Sequence, residues 1–362
     1  MAARIVIVGG GTGGHIIPAV AVARELAGRA EVLFVGTHRG LESRLVPEAG
    51  FPLELVTAGP LNQVSLATRL RTAAQLPVAL LDCARILRRF GAEAVLGVGG
   101  YASGPGMAAA LLLGIPTLAF EPNAVPGLTN RLVGRFVSAA AVNFPPATRW
   151  FRNARVTGIP VRPEFFSIAA ADPLEPLHLL VFGGSQGARI LNMLLPPVVP
   201  ELLRAFPSLT ILHQAGARHA EATRAAYTAA CAGIGGERWR VEPFLGNMAE
   251  CFERAHLVLA RSGASTVAEL AAAGRAALLV PFAAAADNHQ QRNAEVMEQA
   301  GAAGLLTEEQ LAEQPALLGE TLHALLAAPA KLAAMGAAAR TQAHPQAAAE
   351  IAERLMALVG DR

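Results

Sequence analysis

A histidine set directly behind a glycine run is the first pattern in this chain that could carry out chemistry. Gly9-Gly10-Gly11-Thr12-Gly13-Gly14 leads straight into His15. Small residues let backbone N–H groups at a helix N-terminus approach an anion closely. An imidazole there could take a proton from an attacking hydroxyl, since histidine titrates near neutral pH. A helix-start histidine bonded to backbone is the competing reading. Two further glycine loops occur, Gly97-Val98-Gly99-Gly100-Tyr101-Ala102-Ser103-Gly104-Pro105 and Gly183-Gly184-Ser185-Gln186-Gly187-Ala188. One such loop is often only a tight turn, whereas three at strand ends favour a site for several phosphates.

Ala260-Arg261-Ser262-Gly263-Ala264-Ser265-Thr266 precedes the helical run Val267-Ala268-Glu269-Leu270, and so forms another helix start suited to a diphosphate. Glu269, one turn in, could accept two hydrogen bonds from a ribose diol, or could simply offset the helix dipole. Asp287-Asn288-His289-Gln290-Gln291-Arg292-Asn293 gathers amides and an imidazole. Such groups suit sugar hydroxyls, and a solvated helix start explains them as well.

The elements that must position these residues alternate along the chain. Strands are expected at Arg4–Val8, Glu31–Val35, Val95–Val98 and Pro116–Phe120, with a helix over Ile17–Leu26. The pattern restarts with strands at Leu177–Phe182, Ser208–His213, Leu257–Ala260 and Ala277–Val280, and a helix from Arg189. Two strand–glycine loop–helix beginnings imply two similar doubly wound α/β domains. The breaker-rich run Thr157–Pro163 stands where a linker belongs. The domains are therefore expected at 1–160 and 161–341, with a C-terminal helix at about 342–362 that could cross back onto the first.

Composition bounds the class. The chain has 362 residues, 53% of them hydrophobic, enough for two cores. The longest apolar stretch, Met107–Phe120, is too short to span a bilayer and is broken by Gly114 and Pro116. The N-terminus has no signal-peptide pattern, so a cytoplasmic protein is expected. Cys83, Cys231 and Cys251 lack metal-ligand spacing and read as buried reduced thiols. Residues 1–160 carry 15 Arg or Lys against 8 Asp or Glu, and residues 161–362 carry 15 against 20. The basic half could face nucleic acid, anionic lipid or phosphorylated substrates, or could hold only scattered surface arginines.

The first loop formally fits G-x-G-x-x-G through Gly9, Gly11 and Gly14. A dinucleotide enzyme would then need an acid at the end of the second strand to hold a ribose. That strand ends in Gly36-Thr37-His38-Arg39, and Glu31 sits at its beginning, which argues against a nicotinamide or flavin oxidoreductase.

Seven ordered stretches together resemble the MurG family of peptidoglycan glycosyltransferases. They are Gly10–His15, Gly99–Pro105, Glu121-Pro122-Asn123, Pro160-Val161-Arg162, Gly183–Arg189, Arg261–Ala264 and His289-Gln290. The resemblance implies the glycosyltransferase B fold, two doubly wound Rossmann-like domains facing each other across a cleft. It also implies inverting transfer of N-acetylglucosamine from UDP-N-acetylglucosamine to the 4-hydroxyl of the polyprenyl-pyrophosphoryl muramyl-pentapeptide. On that likeness Arg162 and Leu245 would contact the nucleotide, the latter through its backbone, and Ser185 would touch phosphate. Ala264, Ser265, Thr266, Val267, Ala268 and Glu269 would embrace phosphate and ribose, and Gln290 would read the sugar hydroxyls. Thr12, Gly13, Gly14 and Asn123 would approach the sugar from the first domain. Gly99, Gly100, Tyr101, Ser103 and Glu121 would lie toward the acceptor, and His15 would be the base.

The chain departs from the family at Phe120-Glu121-Pro122-Asn123, where a histidine usually stands in the place of Phe120, and at Gly246-Asn247, where two acids are usual. The first departure strengthens the case for His15. No cofactor and no protein-bound metal are implied, and no nucleic acid partner. An acceptor with a polyprenyl tail implies a peripheral enzyme at the cytoplasmic face of the bacterial inner membrane, with an anionic membrane surface as a partner. Leu66–Phe90 supplies candidates for docking: Leu66, Leu70, Leu76, Val78, Leu80, Leu81, Ile86 and Leu87 among Arg69, Arg71, Arg85, Arg88 and Arg89. These apolar residues could equally be core.

Overall fold

The computed structural model describes residues 2–38, 40–59, 66–172, 176–234 and 236–360. Contacts divide the chain into two units, Met1–Val161 with His344–Arg362, and Arg162–Ala343.

The first unit is built on seven strands: β1 (Ala3–Val8), β2 (Ala30–Thr37), β3 (Leu53–Val56), β4 (Ala94–Gly97), β5 (Thr117–Glu121), β6 (Ala139–Val142) and β7 (Ala154–Val156). They form one all-parallel sheet in the order β3-β2-β1-β4-β5-β6-β7. Ile5, Val6, Ile7 and Val8 are each wholly buried, as expected for a parallel strand covered by helices on both faces. From β1 the chain winds outward to β3, then crosses to β4 on the other side. Val8 pairs with Gly97 across that reversal. Loops at the carboxyl ends of β1 and β4 therefore flank a topological switch point, where doubly wound sheets bind ligands.

The second unit repeats the plan with β8 (His178–Phe182), β9 (Thr210–Gln214), β10 (Trp239–Glu242), β11 (Leu257–Ala260), β12 (Ala276–Leu279) and β13 (Ala303–Leu305). Their order is β10-β9-β8-β11-β12-β13, again all parallel. The switch point here lies between β8 and β11, with Phe182 opposite Ala260. The helix Arg189–Ala205 continues through Pro196, Pro197 and Pro200. Each proline removes a backbone donor. Burial of Leu191, Leu195, Val199, Leu202 and Leu203 at helical spacing offsets that loss.

The helix Ala347–Gly360 belongs to the first unit. It buries Ala347, Ile351, Ala352 and Leu355 against the helix Gly13–Glu25 and β4. At its rim Glu353 pairs with Arg29 at 2.6 Å, and Arg354 donates to the Asn153 carbonyl at 2.9 Å.

Two arginines stitch the second unit. Arg275, 2% exposed, donates to the carbonyls of Phe252, Ala169 and Glu253 at 2.7, 2.7 and 2.9 Å. Arg340 donates to Phe166, Ile168, Ala272 and Ala273. Both thereby satisfy carbonyls at the C-terminal end of the helix Ala264–Ala273. Cys83 and Cys231 are buried as expected, whereas Cys251 is only half-buried, on the flank of the helix Met248–Arg254; all three are free. No single described helix is long and apolar enough to cross a membrane.

Candidate active site

In the first unit the β1 loop runs into the helix Gly13–Glu25, whose N-cap is Thr12. The β1 and β4 loops lock together: Gly10 N–H donates to the Gly99 carbonyl at 3.0 Å, and a Cβ on Gly100 would stand 1.9 Å from the Gly10 carbonyl oxygen. The close approach therefore requires glycine at this crossing. Nδ1 of His15 lies 3.3 Å from the Thr12 hydroxyl, and its ring borders Gly99. The structure thus brings Thr12, Gly13, Gly14, His15, Gly99 and Gly100 to one end of the sheet, with Tyr101 exposed beside them.

Two expected acceptor residues are buried. Glu121, 2% exposed, turns inward at the end of β5. Oε1 accepts from the Asn123 N–H and side-chain amide at 2.9 and 3.2 Å, and Oε2 accepts from Gly127 N–H and the Asn130 amide, both at 3.0 Å. Burial raises its pKa, and these hydrogen bonds oppose the rise. Glu121 therefore shapes the loop that carries Asn123. Ser103 is wholly buried at the start of the helix Ser103–Leu112, so its hydroxyl is not part of an open surface.

Sequence reasoning missed Glu42, which is completely buried beneath the first loop. Its carboxylate accepts from Gly11 N–H at 2.7 Å and from the N–H and hydroxyl of Thr37, each at 2.9 Å. A Cβ on Gly10 or Gly40 would collide with that carboxylate. Glycines flanking a lone acid were the only signal that could have found it.

In the second unit the expected donor residues follow the carboxyl ends of β8, β10, β11 and β12. Ser185 is exposed in the loop after β8. Gln214, also missed, is 3% exposed and bridges two loops. Its Nε2 donates to the Gly184 carbonyl at 2.8 Å, and its Oε1 accepts from Leu245 N–H at 2.9 Å. Leu245 thus has its carbonyl, not its N–H, left for a base. Ser262, wholly buried, donates to the Gln290 carbonyl at 2.8 Å, while the Gln290 side-chain oxygen accepts from Phe282 N–H at 3.0 Å. The terminal NH2 of Gln290 is then the end available to a ligand. Arg261 is structural: it donates to the Val280 and Pro281 carbonyls at 3.1 and 2.9 Å and pairs with Glu308 at 2.5 Å.

The helix after Gly263 begins at Ala264, earlier than the run Val267–Leu270 suggested. Ala264, Ser265, Thr266 and Ala268 are half-buried, and Val267 faces the core. Glu269 is the sixth residue, in the second turn, so compensation of the helix dipole explains it poorly. Burial pushes its carboxyl up to about 7; Arg162 opposes this and Glu164 adds to it. Arg162 pairs with Glu164 at 3.2 Å and lies 5.0 Å over the Phe165 ring. Asp287 and Asn288 both have positive φ, 53° and 52°, at the start of the helix His289–Gln299. Such backbone is costly for non-glycine residues and recurs where a loop is shaped for a ligand.

Arg39 and the side chains of Leu66, Arg69, Leu70 and Arg71 lie outside the described residues. In the helix Leu66–Phe90, Ile86 and Leu87 are core, packed under the sheet, while Val78 and Leu81 are exposed. Leu112, Leu132 and Phe136 are exposed on the same unit.

Two parallel-sheet Rossmann-like units, each with loops at its switch point, define the glycosyltransferase B fold. The glycosyltransferase family 28 N-terminal domain matches residues 5–142 and the C-terminal domain of the same family matches residues 178–353, and the chain belongs to that family. It is 43% identical over 357 residues to the UDP-N-acetylglucosamine–N-acetylmuramyl-(pentapeptide) pyrophosphoryl-undecaprenol N-acetylglucosamine transferase of Solibacter usitatus, covering 98% of this chain and 96% of the relative. The crystal structure of Acinetobacter baumannii MurG superposes with a TM-score of 0.82 at 33% identity, over 98% of this chain and 99% of that one. A UDP-GlcNAc 2-epimerase from Neisseria meningitidis gives a TM-score of 0.69 at 12% identity, over 98% of this chain and 100% of that one, a likeness of fold alone.

Proposed function

We propose that this protein transfers N-acetylglucosamine from UDP-N-acetylglucosamine to the 4-hydroxyl of an undecaprenyl-pyrophosphoryl muramyl-pentapeptide, with inversion, in peptidoglycan synthesis. The observation that carries the reading is the second unit's set of loops, Gly183–Ala188, Leu245, Ala264–Glu269 and Gln290, joined by Gln214 and Ser262. Its chemistry answers to phosphate, base, ribose and sugar in turn. The full-length likeness to named transferases supports the acceptor.

In this mechanism the second unit binds the donor, and His15 of the first takes the proton from the attacking hydroxyl. Helix N-termini offset the charge that develops on the departing diphosphate. The first unit is the acceptor and membrane side. Exposed Val78, Leu81, Leu112 and Leu132 stand on neighbouring helices with exposed Arg85 and Arg88, and exposed Arg135 and Phe136 follow in the turn after the helix Leu128–Val133. Apolar surface rimmed by arginine suits reversible docking on anionic lipid, and so a peripheral place at the inner membrane's cytoplasmic face.

The direct test is transfer of labelled N-acetylglucosamine to a short-chain acceptor analogue. Product that needs both substrates, and is lost with UDP-glucose, supports the reading. Donor binding without product removes the acceptor assignment.

A further inference from the structure

A cavity of about 190 Å³ lies in the second unit at the amino ends of β8, β11 and β12. The loops assigned to the donor follow the opposite ends of these strands. Between the two runs the helix Ala264–Ala273, whose ten residues rise about 15 Å. The turn after it, Gly274-Arg275, forms one wall of the cavity. Leu332, Ala333 and Ala337, on the helix Pro329–Thr341, form another. These walls fit each other closely. A Cβ on Gly336 would stand 2.6 Å from the Gly274 carbonyl oxygen, and one on Gly274 would stand 2.7 Å from Nε of Arg340. Alanine side chains leave the space, and the backbone around it is tightly packed.

The polar part of the lining is cationic. Arg275 and Arg340 both border the cavity, and among the described residues no acid does. His256, also in the lining, spends both ring nitrogens on backbone: Nδ1 accepts from His178 N–H at 3.2 Å, and Nε2 donates to the Asp172 carbonyl at 2.9 Å. The two guanidiniums are bonded to carbonyls of the backbone, and among the described residues neither pairs with a carboxylate. A guanidinium has five N–H donors. Arg340 commits its terminal four and keeps Nε–H, beside Gly274. Arg275 commits Nε, both hydrogens of Nη1 and one of Nη2. One donor thus remains on each of two neighbouring cations. Burial, and then Arg340, lower the Arg275 pKa to about 10 against an opposing pull from Glu253, and burial lowers that of Arg340. Both charges are held at a cost that an anion would offset.

We infer that this cavity binds a small organic carboxylate, an aromatic or branched acid whose anion is received by Arg275 and Arg340 and whose apolar body lies against Leu177 and Leu332. An apolar cavity of about 150 Å³ takes up benzene, so about 190 Å³ suits a ring or short branched chain that carries one carboxylate. Phosphate brings the charge without the apolar body, and a neutral arene brings the body without the charge. The site is separate from the donor loops and stands whether or not the donor reading does.

The test titrates benzoate into the full chain by calorimetry, with benzyl alcohol and inorganic phosphate as controls. Benzoate binds with a Kd of about a millimolar or tighter, and both controls bind at least about tenfold more weakly. Saturating UDP leaves the benzoate Kd within about twofold, as independent sites require. Ala333→Leu fills the cavity, keeps both arginines and weakens benzoate at least about tenfold. Arg340→Met, with its fold checked by circular dichroism, weakens benzoate by a similar factor; if it does not fold, Ala333→Leu carries the test. No binding at tens of millimolar benzoate overturns the inference. So does benzyl alcohol binding as tightly as benzoate, which would leave the cations without a part. Displacement by UDP, or unchanged affinity in Ala333→Leu, puts the benzoate elsewhere and overturns it too.

Discussion

Nδ1 of His15 lies 3.3 Å from the hydroxyl oxygen of Thr12. For Nε2 to accept a proton, Nδ1 must carry the ring hydrogen, and the Thr12 hydroxyl is placed to accept it. His15→Ala is expected to lower kcat by on the order of 10²–10⁴-fold with the fold intact. Thr12→Val, which keeps the shape and removes the hydroxyl, is expected to cost roughly tenfold. Circular dichroism checks the fold and steady-state turnover the rate. Near-normal turnover in His15→Ala would remove the residue from the reaction.

Glu269 makes donor binding depend on pH. Its carboxyl is pushed from the ordinary 4.5 to about 7, chiefly by burial. Only the ionised form accepts two hydrogen bonds from a ribose diol. Donor KM is expected to fall by about tenfold between pH 6 and pH 8, and Glu269→Gln to flatten the profile. The stability effect has the opposite sign. Between about 4.5 and 7 the folded chain holds a proton that the unfolded chain has released, so this group's contribution falls as pH rises through that window. Glu269→Gln should therefore unfold at a urea concentration less sensitive to pH over that range.

Arg275 is held at low exposure by three carbonyls from two segments, Ala169 and the helix Met248–Arg254. Burial, and then Arg340, lower its pKa to about 10, which leaves it charged at neutral pH. Arg275→Met leaves those carbonyls without their donor and should destabilise the protein by on the order of 3 kcal/mol. The urea midpoint measures it. A loss below about 1 kcal/mol would mean that water replaces the guanidinium.

Docking on lipid should be salt-sensitive and divisible into charge and apolar parts. Arg88→Ala is expected to weaken binding to phosphatidylserine vesicles roughly fivefold at low salt. Leu81→Ser should weaken binding at every salt concentration. Co-sedimentation that ignored both changes would count against this face.

Much of the fold was legible because its strands are short apolar runs punctuated by glycine. Leu257–Ala260 matches β11 residue for residue, and the expected strand at Arg4–Val8 falls within β1. The edge strands β3, β7, β10 and β13 and the alanine-rich β6 escaped notice, since three or four residues of weak β preference leave no periodicity to read. At the site, motifs gave residue types but not side-chain direction. Glu121 and Ser103 stand in the right stretches and point inward. Glu42 and Gln214 were invisible for the opposite reason, being ordinary polar residues whose burial arises only when distant segments meet.

The first unit is completed by Ala347–Gly360, which the ribosome makes only after the whole second unit. During synthesis the second unit can close on its own residues while the first still lacks the helix that packs against Gly13–Glu25. The apolar stripe Ile351, Ala352 and Leu355 reaches the first unit's core after every strand of both sheets has been made. A nascent chain of this design gains its donor-side fold first, and the half assigned to the acceptor becomes whole only afterwards.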